Sequence, residues 1–245
     1  MKLLIKIFLI LLAVTAYPEG LDASGGSKPN WKVGEKLKFS IRWGIITCGY
    51  ARMEVVEKVR LRDRKTYRIV VTARSAPFFD PFYKVRDRIE SYMDAEELHS
   101  IRYYKKLREG SYRNEVTIIY DHKYKVAYQN NEKFEITKGI QDVLSSMYYL
   151  RTKDLEVGKK YEFDVGTGKK TWPLEVEVVG KEEIKVPAGK FNTYVVIPKL
   201  REEGIFKQKG TLKVWLTDNE KKMPVKMKSK IEIGSISAVL LDYKY

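Results

Sequence analysis

From Trp31 onward the hydrophobic pattern of the chain has a period of two. Leu37, Phe39, Ile41 and Trp43 share one face of a run, and Lys38, Ser40 and Arg42 share the other, which is the alternation of a half-buried β-strand. Met53, Val55 and Glu57 open a second run, and Tyr67, Ile69, Val71 and Ala73 line a third. Further strands are predicted over 83–92, 101–108, 116–120, 124–128 and 133–136, then over 161–165, 174–179, 183–186, 191–198, 211–217, 225–233 and 235–243. Pro77 and Pro81, Asp121-His122-Lys123, Gly166-Thr167-Gly168, Pro187-Ala188-Gly189 and Asp218-Asn219 supply the turns between them. Trp43 and Trp215 fall inside strands and read as core.

The period changes once. Val143, Leu144, Met147, Tyr148 and Arg151 stand at helical spacing within 141–151. Asp142 in the first turn and Arg151 in the last are the charges that a helix dipole favours at those ends. They lie on different sides of the helix and cannot pair with each other, so each is expected to anchor it to the sheet. Roughly 14 strands joined by short turns, with one helix, predict an all-β fold. The strands should run antiparallel, because parallel neighbours need crossover connections that the pattern lacks. A sheet of that width is expected to curl into a barrel or half-barrel around the helix.

The N-terminus follows a different logic. Lys2 and Lys6 precede or interrupt an apolar run ending at Val14 and Ala16. A basic start, a short apolar stretch and a small-residue exit predict a secretory signal peptide over 1–16, cut after Ala16. The stretch is shorter than the roughly 20 residues a spanning helix needs. Residues 17–30, rich in Gly, Ser and Pro, read as a flexible leader, and 31–245 as one β-rich domain. The expected location is the periplasm of a bacterial cell envelope. Cys48 is the single cysteine, so no internal disulfide forms, and it reads as a small buried hydrophobe.

Net charge is +15, and the chain stays strongly basic without Lys2 and Lys6. For an exported protein the matching anions are lipid head groups, lipopolysaccharide phosphates and acidic polysaccharide. Nucleic acid is not the expected partner, whereas peripheral membrane contact is compatible with the charge. His99 and His122 lack the spacing of a metal motif and read as turn or surface residues. There is no Gly-x-Ser-x-Gly elbow and no phosphate-cradling loop that opens a helix. The sequence therefore assigns no catalytic residue, metal or cofactor. The informative constellation is arginine among aromatics. Arg88, Arg102 and Arg113 lie on successive predicted strands with Tyr103, Tyr104 and Tyr112 among them. Paired, they form either an anion-binding wall or a cross-strand ion ladder on a solvent face.

Asp142, Ser145, Tyr148 and Arg151, within the segment 142–151, resemble a hallmark of an exported bacterial family known as domain of unknown function 3108. Trp43-Gly44, Arg88-Ile89-Glu90-Ser91 and Val214-Trp215-Leu216-Thr217-Asp218 resemble further parts of it. The resemblance runs from about Gly34 to Leu241. It implies a periplasmic, mostly antiparallel curved sheet or barrel, with Trp43, Asp142, Ser145, Trp215 and Asp218 as structural positions, and it implies no established enzyme activity. The expectation that follows is a noncatalytic envelope protein. It would bind a lipid or lipid-linked glycan in a cleft of the curved sheet, with Arg88, Arg102, Arg113, Tyr148 and Arg151 as ligand contacts. Two alternatives stand beside it: a glycan hydrolase using paired carboxylates, and an assembly module that docks a partner protein.

Overall fold

The computed structural model describes residues 28–167, 169–200, 212–231 and 233–245. The expected signal segment, its cut after Ala16 and the leader through residue 27 lie outside the described residues. The strands are β1 (Lys36–Trp43), β2 (Ile46–Leu61), β3 (Arg64–Ser75), β4 (Arg86–Asp94), β5 (Ser100–Glu109), β6 (Tyr112–Asp121), β7 (Val126–Gln129) and β8 (Glu132–Glu135). Helix α1 (Val143–Arg151) comes next, followed by β9 (Lys160–Thr167), β10 (Lys170–Val186), β11 (Gly189–Leu200), β12 (Leu212–Thr217), β13 (Pro224–Lys230) and β14 (Ser235–Lys244).

All 14 strands form one sheet in the order β8-β7-β6-β5-β4-β3-β2-β1-β14-β13-β12-β11-β10-β9. The chain thus makes two antiparallel meanders, β1–β8 and β9–β14, joined where β1 pairs with β14. The outer strands β8 and β9 do not pair, so the sheet is curved and unclosed. The seam between them is covered by the segment that leads into α1. There Gln141 N donates to Asp164 O (2.8 Å), Gly166 N donates to Gln141 O (2.8 Å) and Tyr120 Oη donates to Gly166 O (2.6 Å). A Cβ at position 166 would stand 2.7 Å from the Tyr120 ring and 2.9 Å from Ile140, so only glycine lets the seam close. Bare backbone at a sheet edge invites pairing with another chain, and this stitching removes part of that edge.

Leu37, Phe39, Val55, Ile69, Met93, Tyr103, Ile118 and Leu240 form the inner wall with α1 residues Leu144 and Tyr148. Val143 and Leu150 pack into a neighbouring cluster with Val176, Val178, Val196 and Leu216. The helix therefore lies inside the curl, its apolar faces spread over both meanders. Two sequence expectations are corrected. The runs 174–179 and 183–186 form one strand, β10, because the residues at Val178 and Gly180 bulge against β11 without breaking the ladder. Trp43 is not core: β1 shifts register against β2 between Ile41 and Arg42, the alternation slips, and the Trp43 ring is left exposed.

Candidate functional site

One structural feature suited to an apolar ligand is a cavity of about 90 Å³ between α1 and the sheet. Val143, Leu144 and Met147 of α1 form one side of it, and Met53, Ile89, Tyr103, Met227 and Ala238 are among the sheet residues opposite. The volume exceeds the roughly 10–15 Å³ that one water needs, but water also needs polar partners, and this lining is nearly all carbon. The Tyr103 hydroxyl is buried without a hydrogen-bond partner. Burial, helped by the Asp142 carboxylate, holds its pKa above the ordinary phenol value, so it remains a neutral donor.

Polar contacts hold α1 in place beneath this space. Asp142 is the N-cap: its Oδ1 accepts from Leu144 N (2.7 Å) and Ser145 N (2.8 Å), while Ser145 Oγ accepts from Asp142 N (2.8 Å). That reciprocal pair is a capping box. The second carboxylate oxygen accepts from Ser91 Oγ of β4 (2.6 Å) and Ser100 Oγ of β5 (2.5 Å). Burial pushes the Asp142 carboxyl up while these bonds pull it down. At the other end Arg151, fully buried, grips Glu35 with Nη1 and Nη2 (2.8 and 2.7 Å) and donates from Nε to Lys221 O (3.1 Å). Its guanidinium lies 4.9 Å from the Tyr148 ring and 5.6 Å from the Trp31 ring. Both charged ends anchor the helix, as its sequence predicts.

Tyr148 and Arg151 do not line the cavity. Both are buried against Glu35, where the Tyr148 hydroxyl stands 3.4 Å from Oε1. Arg88, Arg102 and Arg113 are not cleft residues either. Strand alternation places Ile89 and Tyr103 in the core, so Arg88 and Arg102 face outward, and Arg113 sits opposite the exposed Arg108. On that face Arg68 bridges Glu57 (2.8 Å) and Glu90 (3.0 Å), Arg88 joins Glu90 (2.6 Å), and Arg102 stacks over Tyr92 at 5.5 Å. Arg113 bonds the carbonyls of Gly110 and Tyr112. The ladder alternative is the one the strands build at Arg88, whose fork the Glu90 carboxylate occupies, while Arg102 lies over an aromatic ring and Arg113 bonds backbone carbonyls. Trp215 is buried, and its Nε1 donates to Glu182 (2.8 Å). Asp218 pairs with Lys181 (2.8 Å), which holds its carboxyl below the usual range.

Two clusters have no sequence signal. Asp87 and Glu109 come from β4 and β5 and line a small pocket with Tyr83 and Cys48; Asp87 Oδ1 accepts from Arg108 N (2.9 Å), and Glu109 Oε2 is buried without a partner. Two buried carboxyls in one pocket disfavour ionisation of both. Burial and the neighbouring Asp87 charge push Glu109 up to about 7. His99 and His122, far from being isolated surface residues, stack with ring centroids 3.6 Å apart. Burial, with the second imidazole beside it, lowers His99 to about 4. No cluster of three or more His, Cys, Asp or Glu among the described residues could hold a metal ion.

The curved sheet is similar to a β-barrel-like protein of the DUF1849 family from Brucella abortus (TM-score 0.61, 13% identity, covering 86% of this chain and 97% of that one). It is similar at lower TM-score to a candidate exported protein with a YmcC-like fold from Bacteroides fragilis (0.42, 15% identity, 90% and 99% covered). A candidate lipoprotein from Parabacteroides distasonis matches at 0.37 and 12% identity, with 89% and 98% covered. No curated protein matches the chain. The pattern of one family, described as proteins of unknown function (DUF3108), matches residues 38–241, taking in the capped helix, the stitched seam and most of both meanders, and it is to this family that the chain belongs.

Proposed function

We propose that this chain is a noncatalytic envelope protein that holds the apolar part of an amphipathic ligand, a lipid or lipid-linked glycan, between α1 and the sheet. The observation that supports this most is the cavity itself: about 90 Å³ of space beside α1, lined almost wholly by carbon. Pockets that engulf a whole drug-sized ligand run to roughly 300–1,000 Å³. This one therefore suits one segment of an acyl or isoprenoid chain, with the head group left outside. The basic charge favours an anionic head group, and the N-terminal pattern supports export, which N-terminal sequencing of the protein from a periplasmic fraction tests.

The hydrolase alternative is less favoured. Glycosidases set two carboxyl groups about 5–9.5 Å apart in a cleft that admits the glycan between them, whereas Asp87 and Glu109 are buried at a pocket of only about 50 Å³.

Met53, Met147 and Met227 line the cavity, while Met93 and Met223 are buried elsewhere. Titrating methyl-¹³C-methionine protein with dodecanoate should shift the first three signals and leave the other two nearly unmoved. Met147→Trp, which fills the space, should abolish the shifts. Signals that stay put, or that all move alike, would reject the reading.

A further inference from the structure

Antiparallel meanders gather alternate turns at opposite ends. At one end α1 is fastened: Asp142 to Ser91 and Ser100, Gln141 to Leu98 O, Arg151 to Glu35 and to the β12–β13 turn. The other end carries the β1–β2, β3–β4, β5–β6 and β13–β14 connections. Three of these end in apolar side chains that touch little protein: Ile45 is 95% exposed, Phe78 75%, Phe82 70% and Ile233 67%. A soluble surface scatters such residues singly, but among the described large apolar or aromatic side chains that are two-thirds or more exposed, four lie at this pole and only Tyr124 lies elsewhere.

The tips are braced. The Trp43 indole donates to Ile233 O (3.0 Å) and Gly44 N donates to Ser235 O (3.0 Å), tying β1–β2 to β13–β14. In the β3–β4 loop Arg86 clamps Asp80 (2.6 Å), Ser75 Oγ donates to Asp80 (2.5 Å), and Val85 N donates to Ser75 Oγ (2.8 Å). Phe78 meets Phe79 edge-on at 5.3 Å and lies 6.2 Å from Phe82. The aromatic rings are therefore held outward on an ordered loop.

Charge selects the surface they meet. Arg74, Lys84, Arg113, Lys228 and Lys230 are exposed on or beside these turns. Of the described carboxylates there, Asp80 is bound to Arg86, and Asp87 and Glu109 are buried. Separate apolar and aromatic tips ringed by cations match the interface of a bilayer, where rings sit at head-group depth and lysines meet anionic phosphate. We propose that this pole docks onto an anionic lipid bilayer, with Ile45, Phe78, Phe82 and Ile233 entering the interface and the surrounding Lys and Arg binding head groups. The inference stands on the surface and is independent of the cavity. The two are linked by Ile41 and Ile236, which line the cavity and lie two residues before Trp43 and one after Ser235.

The test is flotation of the purified full chain with vesicles of phosphatidylcholine alone or with added phosphatidylglycerol. Trp43 serves as a depth probe, because Trp31, Trp172 and Trp215 are buried. The chain should float with the anionic vesicles, be released as salt rises, and lose Trp43 emission when the lipids are brominated. Ile45→Asp with Phe78→Asp should weaken binding at least tenfold, and Lys84→Glu or Lys230→Glu about fivefold or more each. Met147→Trp should float like the unaltered protein, so failure of the ligand reading and failure of this one are distinguishable. The proposal is overturned if neither vesicle is bound, if the tip variants float undiminished, if Trp43 stays unquenched on bound protein, or if filling the cavity abolishes flotation.

Discussion

At the scale of single residues, the costliest group in the interior is the Glu35–Arg151 pair. Both side chains are fully buried, and desolvation makes such a pair a weak net contributor even when its geometry is good. Removing one partner strands the other charge. Arg151→Met should therefore cost about 3–5 kcal/mol in urea unfolding, and Glu35→Leu combined with it should recover most of the loss. A double variant no better than the single would show that the pair does more than satisfy itself. Sequence made the arginine visible as a helix-end cation but gave no sign of its partner, which lies 116 positions away. The same holds for the stacked histidines: 23 residues apart, they resemble turn residues until β4, β5 and β6 bring them together.

At the scale of elements, α1 is short, and an isolated helix of its length is marginal in water. Its cap and its burial keep it folded. Asp142→Ala removes the acceptor for two backbone N–H groups and two buried serine hydroxyls. A lost cap costs about 1 kcal/mol, and stranded buried donors add about 1–3 kcal/mol. The expected destabilisation is about 2–4 kcal/mol by urea unfolding, with Asp142→Asn, which still accepts, clearly milder. A loss under about 1 kcal/mol would mean that water replaces the carboxylate. The helix was legible because its spacing departs from the period of two around it. The strands were legible because each buries one face. Bulges were not, since a register slip such as that at Ile41 and Arg42 depends on the neighbouring strand, and Trp43 was misplaced for that reason.

At the scale of the whole molecule, two buried sites tilt stability in opposite directions with pH. The folded Asp87–Glu109 pair, faced by Lys105 and Tyr83, keeps a proton up to about 7, whereas an ordinary glutamate releases it near 4.5. The folded state binds more protons in that window, so stability falls as pH rises from about 4.5 to 7. His99, facing His122, Asp94, Glu97 and Arg64, refuses its proton down to about 4 instead of 6.5. The unfolded chain binds more protons there, so stability falls as pH drops from 6.5 towards 4. Glu109→Gln should raise the melting temperature near pH 8 more than near pH 4, and His99→Asn should blunt the acid-side decline. Parallel melting curves for variants and parent across that range would dismiss both assignments.

The sequence by itself determined what nearest neighbours along the chain can encode. Alternation set the strands, short turns set their antiparallel sense, one change of period set the helix, and ordered motifs set the family. Only the tertiary structure decided which strands meet across the seam, that the cavity lies against Val143, Leu144 and Met147, that Arg88, Arg102 and Arg113 face away from the core, and that Asp87 and Glu109 share a pocket. The physical reason is that a period of two tells which residues share a face. It does not tell which face the curl turns inward, nor which distant side chains that curvature brings within a hydrogen bond of one another.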